Sequence, residues 1–317
     1  MHIIIFGAGS VGLGIGSALL KAGAQVTFIG SPETVAALRA HGLKRTGIFG
    51  EMQHAPTSFE AFAQLDELSQ EPCDFLLVTV KSFDTAAAAS AIAAHPHLLS
   101  ADSRIVLLQN GWGNAEVFAA QFPEAQVFNG RVITGFRRPD LNTVDITVHA
   151  EAVHLGSLFG ANVDDLAPLA QAIDTGGIPC ATTDNIEADL WAKLLYNCAL
   201  NPLGAILRVP YGTLGAHAHT RRIMDAVVQE AFAAMKAGGH QTHWHSADAF
   251  LDDFYHKMLP PTADHESSML QDIRAGRRPE IDALTGAVLD ISGRFCLHAP
   301  HNATLFHMIK FFESRTG

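Results

Sequence analysis

Residues Gly7-Ala8-Gly9-Ser10-Val11-Gly12 constrain this chain more than any other feature, because of what stands on either side of them. His2–Phe6 reads as a short buried strand rich in isoleucine, Leu13 to Leu20 as a helix, and Gln25–Ile29 as a second strand. Strand, glycine turn, helix and strand within about thirty residues make a dinucleotide-binding unit of the Rossmann type. Gly7 permits the tight turn, Gly9 lets the backbone approach a pyrophosphate, and Gly12 lets the helix pack closely on the strand. The helix N-terminus offers N–H groups and the positive end of its dipole to the phosphates. The run Gly7, Ala8, Gly9, Ser10, Val11 and Gly12 is therefore assigned to cofactor binding. A glycine-rich turn without a ligand would leave the flanking pattern unexplained.

An enzyme that uses NAD usually carries Asp or Glu at the end of the second strand, where it accepts from the ribose hydroxyls. Here that point reads Ile29-Gly30-Ser31-Pro32, and the first carboxylate is Glu33. Ser31 is small and leaves room for a 2′-phosphate. No arginine sits at the turn, although Arg39 lies further along the next helix. The expected cofactor is NADP, as NADPH.

Strands and helices go on alternating. Asp74–Val80 reads as a strand ending in Lys81, 86–94 as an Ala-rich helix, and Arg104–Leu108 as a strand ending in Gln109-Asn110-Gly111. This alternation implies a parallel sheet, with ligands beyond the carboxyl ends of its strands. Lys81 and Asn110 occupy such ends. The bland alternatives are a solvated lysine and a turn-forming Asn-Gly. Val144–His149 and Val153–Leu158 look like a hairpin added to the sheet, followed by a helix over Leu166–Ile173 and a last strand over Pro179–Thr182. Past about Asp184 strand signals vanish. The expected fold is α/β, with a Rossmann-type parallel-sheet domain over 1–183 followed by an all-helical substrate and catalytic domain over 184–317.

In the helical half Lys193, Asn197 and Asn201 recur every four residues, which places them within an arc of about 80° on one helix face. Leu190, Trp191, Leu194, Leu195 and Leu200 around them should be buried. A polar stripe in such surroundings must be satisfied or must face a cleft. A solvent-facing stripe is the alternative, although two asparagines suit an exposed helix poorly. Further on, Asp272 falls one helical turn after Ser268. Glu280, after Pro279, reads on residue type alone as a surface or helix-start carboxylate. His240, His243 and His245 do not share one helical face and follow Gly238-Gly239, so no metal site is expected there.

Composition excludes several classes. Hydrophobic residues at 48% and charged ones at 17% argue for well-filled cores and against disorder. A formal charge of −11 makes nucleic acid an unlikely partner. No run of about 18 apolar residues suggests a membrane span, and the apolar start lacks the basic flank of a signal peptide. The four cysteines have no CxxC spacing and read as buried free thiols in a reducing cytosol. The expected location is cytoplasmic.

With these residues in view, the chain resembles the ketopantoate reductase (2-dehydropantoate 2-reductase) family nearly end to end. The resemblance is carried by GAGSVG, by VTVKSFDT around Lys81, by QNGWGN around Asn110, by DLWAKLLYNCALNPLGA over 189–205, and by SSMLQDIRAGRRPEIDALTG over 267–286. It implies NADPH-dependent reduction of ketopantoate in pantothenate biosynthesis. Lys193 is then the catalytic lysine and general acid, and Glu280 the essential carboxylate. Asn110, Asn197, Asn201 and Ser268 line the substrate and nicotinamide site, and Lys81 lies near the cofactor. Two features depart from the family pattern. An arginine often follows the second strand in the family, where this chain has Gly30-Ser31, and Gln241–Tyr255, with His243, Trp244 and His245, is not matched to a family block. Rival readings are a relative that reduces another 2-oxo acid, with Trp112 and Trp244 lining a larger pocket although both read first as packing residues, and a dinucleotide-binding sensor without turnover. The apolar helical half also leaves a surface for self-association as a homodimer, the commonest oligomer.

Overall fold

A strand that is apolar on both faces belongs in the middle of a covered sheet. β1 (His2–Phe6) does this: Ile3 and Ile5 join one apolar cluster and Ile4 joins another. The computed structural model describes residues 1–68 and 71–315. From β1 the chain runs through α1 (Ser10–Lys21), β2 (Gln25–Ile29), α2 (Pro32–His41), β3 (Leu43–Gly47), β4 (Met52–His54) and β5 (Glu60–Phe62). Then come β6 (Cys73–Val78), α3 (Thr85–Ala93), β7 (Leu99–Leu107), α4 (Asn114–Ala119) and β8 (Val127–Arg131). β9 (Thr134–Asp140), β10 (Thr143–His149), β11 (Val153–Gly156), α5 (Ala167–Thr175) and β12 (Cys180–Thr182) complete the series.

Eight strands form one sheet in the order β12-β11-β8-β7-β6-β1-β2-β5. Every neighbouring pair in it is parallel except β11 with β8. Leu13 and Ile15 of α1 and Leu169 and Ile173 of α5 pack with Ile3 and Ile5. Ala88, Ala89 and Ile92 of α3 and Phe118 pack with Ile4. A second sheet of four strands has the order β4-β3-β10-β9.

The expected hairpin of Val144–His149 with Val153–Leu158 does not form. β10 pairs antiparallel with β9 in the small sheet, whereas β11 lies between β8 and β12 in the large one. β9 has a weak strand signature, with Gly135, Arg137, Arg138 and Pro139 in seven residues. Its edge position tolerates the proline. With β9 hidden in this way, β10 has no visible partner except β11.

The second unit is helical: α6 (Ile186–Leu207), α7 (Tyr211–Ala216), α8 (Ala218–Ala237), α9 (Ala247–Asp253), α10 (Ser268–Arg274), α11 (Thr285–Arg294) and α12 (Pro300–Glu313). Among the described residues no strand follows β12. α6 continues six residues past Asn201, through Pro202. An interior proline costs about 3 kcal/mol, and burial of Leu200, Leu203 and Ala205 around it offsets that cost. Chain contacts group the molecule into Met1–Gln109 with Asn114–Ile186, and Asn110–Gly113 with the residues from Glu187 on. The short loop after β7 thus belongs to the helical unit.

All four cysteines are free, but they are not all buried: Cys73 and Cys198 are, Cys180 is half-buried and Cys296 is exposed. Burial pushes the thiols of Cys73, Cys180 and Cys198 up to about 12. A thiolate-specific aromatic disulfide at pH 8 should therefore modify Cys296 at once and the other three only as the chain opens. Fast labelling of Cys198 in the folded protein would contradict the packing described.

Candidate active site

The glycine turn is closed by the end of β2. The N–H groups of Gly7 and Ala8 both donate to the Ile29 carbonyl, at 2.9 and 2.8 Å, and the Gly9 N–H donates to the Gly7 carbonyl at 2.7 Å. Gly7 sits at φ +119°, and a Cβ there would lie 2.7 Å from the Val80 nitrogen. A Cβ at Gly12 would lie 2.2 Å from the Gly7 oxygen. At Gly9 a Cβ would meet nothing within 4 Å, so this glycine faces open space. Gly9 is also the N-cap of α1, and no side chain caps that helix. The first N–H groups of α1, at Ser10, Val11 and Gly12, have no intrahelical acceptor by geometry. Open space in front of uncapped N–H groups fits the pyrophosphate of a dinucleotide.

Ser31 is the N-cap of α2, and its hydroxyl contacts the N–H and hydroxyl of Thr34. Arg39 lies in the last turn of α2, donates to the Ala61 carbonyl at 2.8 Å and reaches Glu67 at 3.8 Å, away from that cap. A residue that pattern reading misses does reach the cap. Arg138, on β9, donates to the Ala8 carbonyl and to Thr34 Oγ1, each at 3.1 Å. Two adjacent arginines in a strand point to opposite faces, which is the signal that one of them turns inward. Lys81 follows β6 as a half-buried residue and caps the short turn Ser82–Asp84.

The helical unit brings three predicted residues together. Lys193, on α6, is half-buried between buried neighbours, and its Nζ donates to Asn110 Oδ1 at 2.7 Å. The other half of that amide, Asn110 Nδ2, donates to Glu280 Oε2 at 3.2 Å. Glu280 is 7% exposed, as N-cap of the turn Ile281–Ala283, so the surface-carboxylate reading fails. The Asn110 loop is held against that turn by its backbone. Gly111 lies at φ +89°, and a Cβ on it would sit 2.3 Å from the Ala283 oxygen. The Trp112 N–H donates to the same carbonyl at 2.9 Å. Asn110-Gly111 is therefore more than a turn: the glycine permits the approach that sets Asn110 beside Glu280.

Of the remaining stripe, Asn197 is half-buried and Asn201 is 3% exposed. Asn201 Oδ1 accepts from the Tyr211 hydroxyl at 2.7 Å. Burial raises the Tyr211 hydroxyl well above its ordinary range, so it remains a neutral donor. The Asn201 NH₂ group remains a donor for a substrate. Ser268 is the exposed first residue of α10, while Ser267 caps that helix and donates to the Asn201 carbonyl at 3.4 Å. Trp112 packs on Trp191 and on His240, and Trp244 packs on Phe250. The histidine segment is anchored to the start of α6, His240 to Glu187 at 2.8 Å and His243 to Asp189 at 2.7 Å. Among the described residues no group of three or more His, Cys, Asp or Glu is placed to hold a metal ion.

Residues 3–159 match the family described as ketopantoate reductase PanE/ApbA, and residues 185–313 match its C-terminal domain. The chain belongs to the ketopantoate reductase family. It is 31% identical over 315 residues to 2-dehydropantoate 2-reductase of Aquifex aeolicus, covering 99% of this chain and 97% of that protein. The crystal structure of a PanE/ApbA family ketopantoate reductase from Ralstonia eutropha JMP134 superposes with a TM-score of 0.84 at 29% identity, covering 100% of this chain and 99% of that one. D-mandelate dehydrogenase, solved with NADH and anilino(oxo)acetate, superposes with a TM-score of 0.87 at 22% identity, covering 100% and 99% of the two chains, and shares the fold. Members of the family are oxidoreductases, and among the described residues of this one no helix is long and apolar enough to cross a membrane.

Two glycine substitutions separate ligand approach from folding. Gly9→Val should leave the melting temperature unchanged, since its side chain enters open space, and should weaken dinucleotide binding by at least about tenfold, measured by fluorescence titration. Gly111→Ala should cost about 1–3 kcal/mol in denaturant titration, because both its φ and its Cβ are opposed. A Gly111→Ala chain as stable as the parent would count against the Ala283 clamp.

Proposed function

We propose that this chain reduces 2-dehydropantoate to pantoate with NADPH, the reductive step of pantothenate biosynthesis. The observation that carries the reading is the Lys193–Asn110–Glu280 hydrogen-bonded series within a chain of this family. The Gly7–Gly12 turn, Ser31 and Lys81 are the residues that hold the dinucleotide. A bound nicotinamide supplies the hydride that the ketone carbon accepts.

The protein's own part is the proton and the charge. As the carbonyl carbon becomes tetrahedral, its oxygen gains negative charge, and the Lys193 ammonium stabilises that oxygen and gives it a proton. Asn110 aims the ammonium through its side-chain oxygen and holds the carboxylate through its NH₂ group. Glu280 accepts from the new hydroxyl and favours the charged form of the lysine. Asn197, the NH₂ group of Asn201, and Ser268 bind the carboxylate and hydroxyl of the substrate. Ketone, hydride and one proton give the alcohol, and Lys193 regains its proton from solvent.

Initial rates of NADPH oxidation with ketopantoate, beside NADH and a panel of 2-oxo acids, test the reading. The highest kcat/KM should fall to NADPH with ketopantoate; a better rate with NADH or with an aromatic 2-oxo acid would refute that part of it. Lys193→Ala should lower kcat by about two to three decades, or ~3–4 kcal/mol, with dinucleotide binding intact. Glu280→Ala should lower kcat and raise KM. If the pair acts as a unit, the double variant should lose far less than the product of the single losses.

A further inference from the structure

β9 is the outer strand of the small sheet, so its residues alternate between two faces. Phe136 and Arg138 are half-buried, whereas Arg137 and Pro139 are exposed. Gly14 of α1 makes room for the inward face, since a Cβ there would lie 2.3 Å from the Phe136 ring. With Phe136 seated on α1, Arg138 falls about 6–7 Å further along the strand. Its guanidinium there spans from the Ala8 carbonyl to Thr34 Oγ1. The Ser31 hydroxyl lies 3.1 Å from the same threonine oxygen. One arginine thus ties the turn after β1 to the first residues after β2.

Those two places bracket the adenosine ribose in a dinucleotide fold, where an acid after the second strand serves NAD and a nearby arginine accommodates a 2′-phosphate. No acid stands at Gly30, and a side chain there would be obstructed, because its Cβ would lie 2.8 Å from the Ala8 Cβ. Glu33 is the nearest carboxylate. Its own backbone N–H and the Ser31 hydroxyl hold it below the usual carboxylate range, so it is charged at neutral pH. A phosphate dianion beside that charge needs a cation, and Arg39 is turned to Ala61 and Glu67.

We propose that Arg138 recognises the 2′-phosphate of NADPH, flanked by the hydroxyls of Ser31 and Thr34, an assignment that rests on the NADPH reading above. The planar guanidinium fork suits two phosphate oxygens at once. Those oxygens take N–H groups that now point to Ala8 and Thr34. The residue that sets cofactor preference therefore comes from the small sheet, about a hundred residues beyond the strand whose end it completes.

The test is binding without turnover. Dissociation constants for 2′,5′-ADP, 5′-AMP, NADP⁺ and NAD⁺ are measured by calorimetry on the parent chain, Arg138→Met and Arg138→Lys, with melting temperatures alongside. The parent should bind 2′,5′-ADP more tightly than 5′-AMP. Arg138→Met should weaken 2′,5′-ADP and NADP⁺ by at least about tenfold while NAD⁺ stays within about twofold, and Arg138→Lys should recover part of the loss. A parent that binds 2′,5′-ADP no better than 5′-AMP overturns the NADPH reading and the proposal with it. A preference for 2′,5′-ADP that survives Arg138→Met overturns the proposal alone. Equal losses for NADP⁺ and NAD⁺ also overturn it, and would make Arg138 a brace of the glycine turn.

Discussion

An amide that accepts from an ammonium on one side and donates to a carboxylate on the other has only one workable orientation. Flipping Asn110 would set its NH₂ group against the Lys193 ammonium and its oxygen against Glu280, two repulsions in place of two hydrogen bonds. Hydrogen bonds to charged groups contribute about 1.5–3 kcal/mol each, so the preference is strong. Burial of Glu280 raises the stakes, because a buried carboxylate must be satisfied. One neutral side chain therefore orders a cation and an anion that stand 87 positions apart in the chain. It does so because Gly111 brings the loop within backbone hydrogen-bonding distance of the turn that starts at Glu280.

The same device, a missing side chain that admits a close approach, recurs in the sheet unit. Gly12 admits the Gly7 carbonyl, and Gly14 admits the Phe136 ring. Gly9 is different, since its open side faces no protein atom within 4 Å. Two of these glycines let the protein pack on itself, and the third keeps a place clear. The motif reading assigns the jobs of Gly9 and Gly12 from spacing, and the contacts distinguish them physically and add Gly14.

Much of this was legible in the sequence because the signals were local. The Ile-rich β1, the glycine run and the α1–β2 sequel follow within thirty residues, and the four-residue recurrence of Lys193, Asn197 and Asn201 follows from helix geometry. What escaped was decided by partners far along the chain. Glu280 looked like a surface carboxylate because nothing near it in sequence reveals Asn110. The charges and proline of β9 suit an edge strand and hide its strand signal, and without β9 the sequence offers β10 only β11 as a partner. Arg138 is concealed with β9, and Arg39 is the first arginine in sequence after β2. In sequence Asn110 stands at the end of a sheet strand, whereas its loop groups with the helical unit.

A net charge of −11 does not prevent a chain from holding an anionic dinucleotide, because charges in salt act over short distances. In physiological salt the field of a surface charge decays over about 8 Å, so carboxylates scattered over the surface contribute little at any one point. What a phosphate meets is set by its immediate neighbours. At the glycine turn these are uncapped backbone N–H groups and the end of a helix dipole, whose charge does not enter the formal count. At the α2 cap the single acid, Glu33, is already engaged by its own N–H and by Ser31, and Arg138 stands within hydrogen-bonding distance of the same threonine as that serine. On the NADPH proposal, local backbone polarity and the Arg138 guanidinium would decide anion binding, and the overall charge of the chain would not.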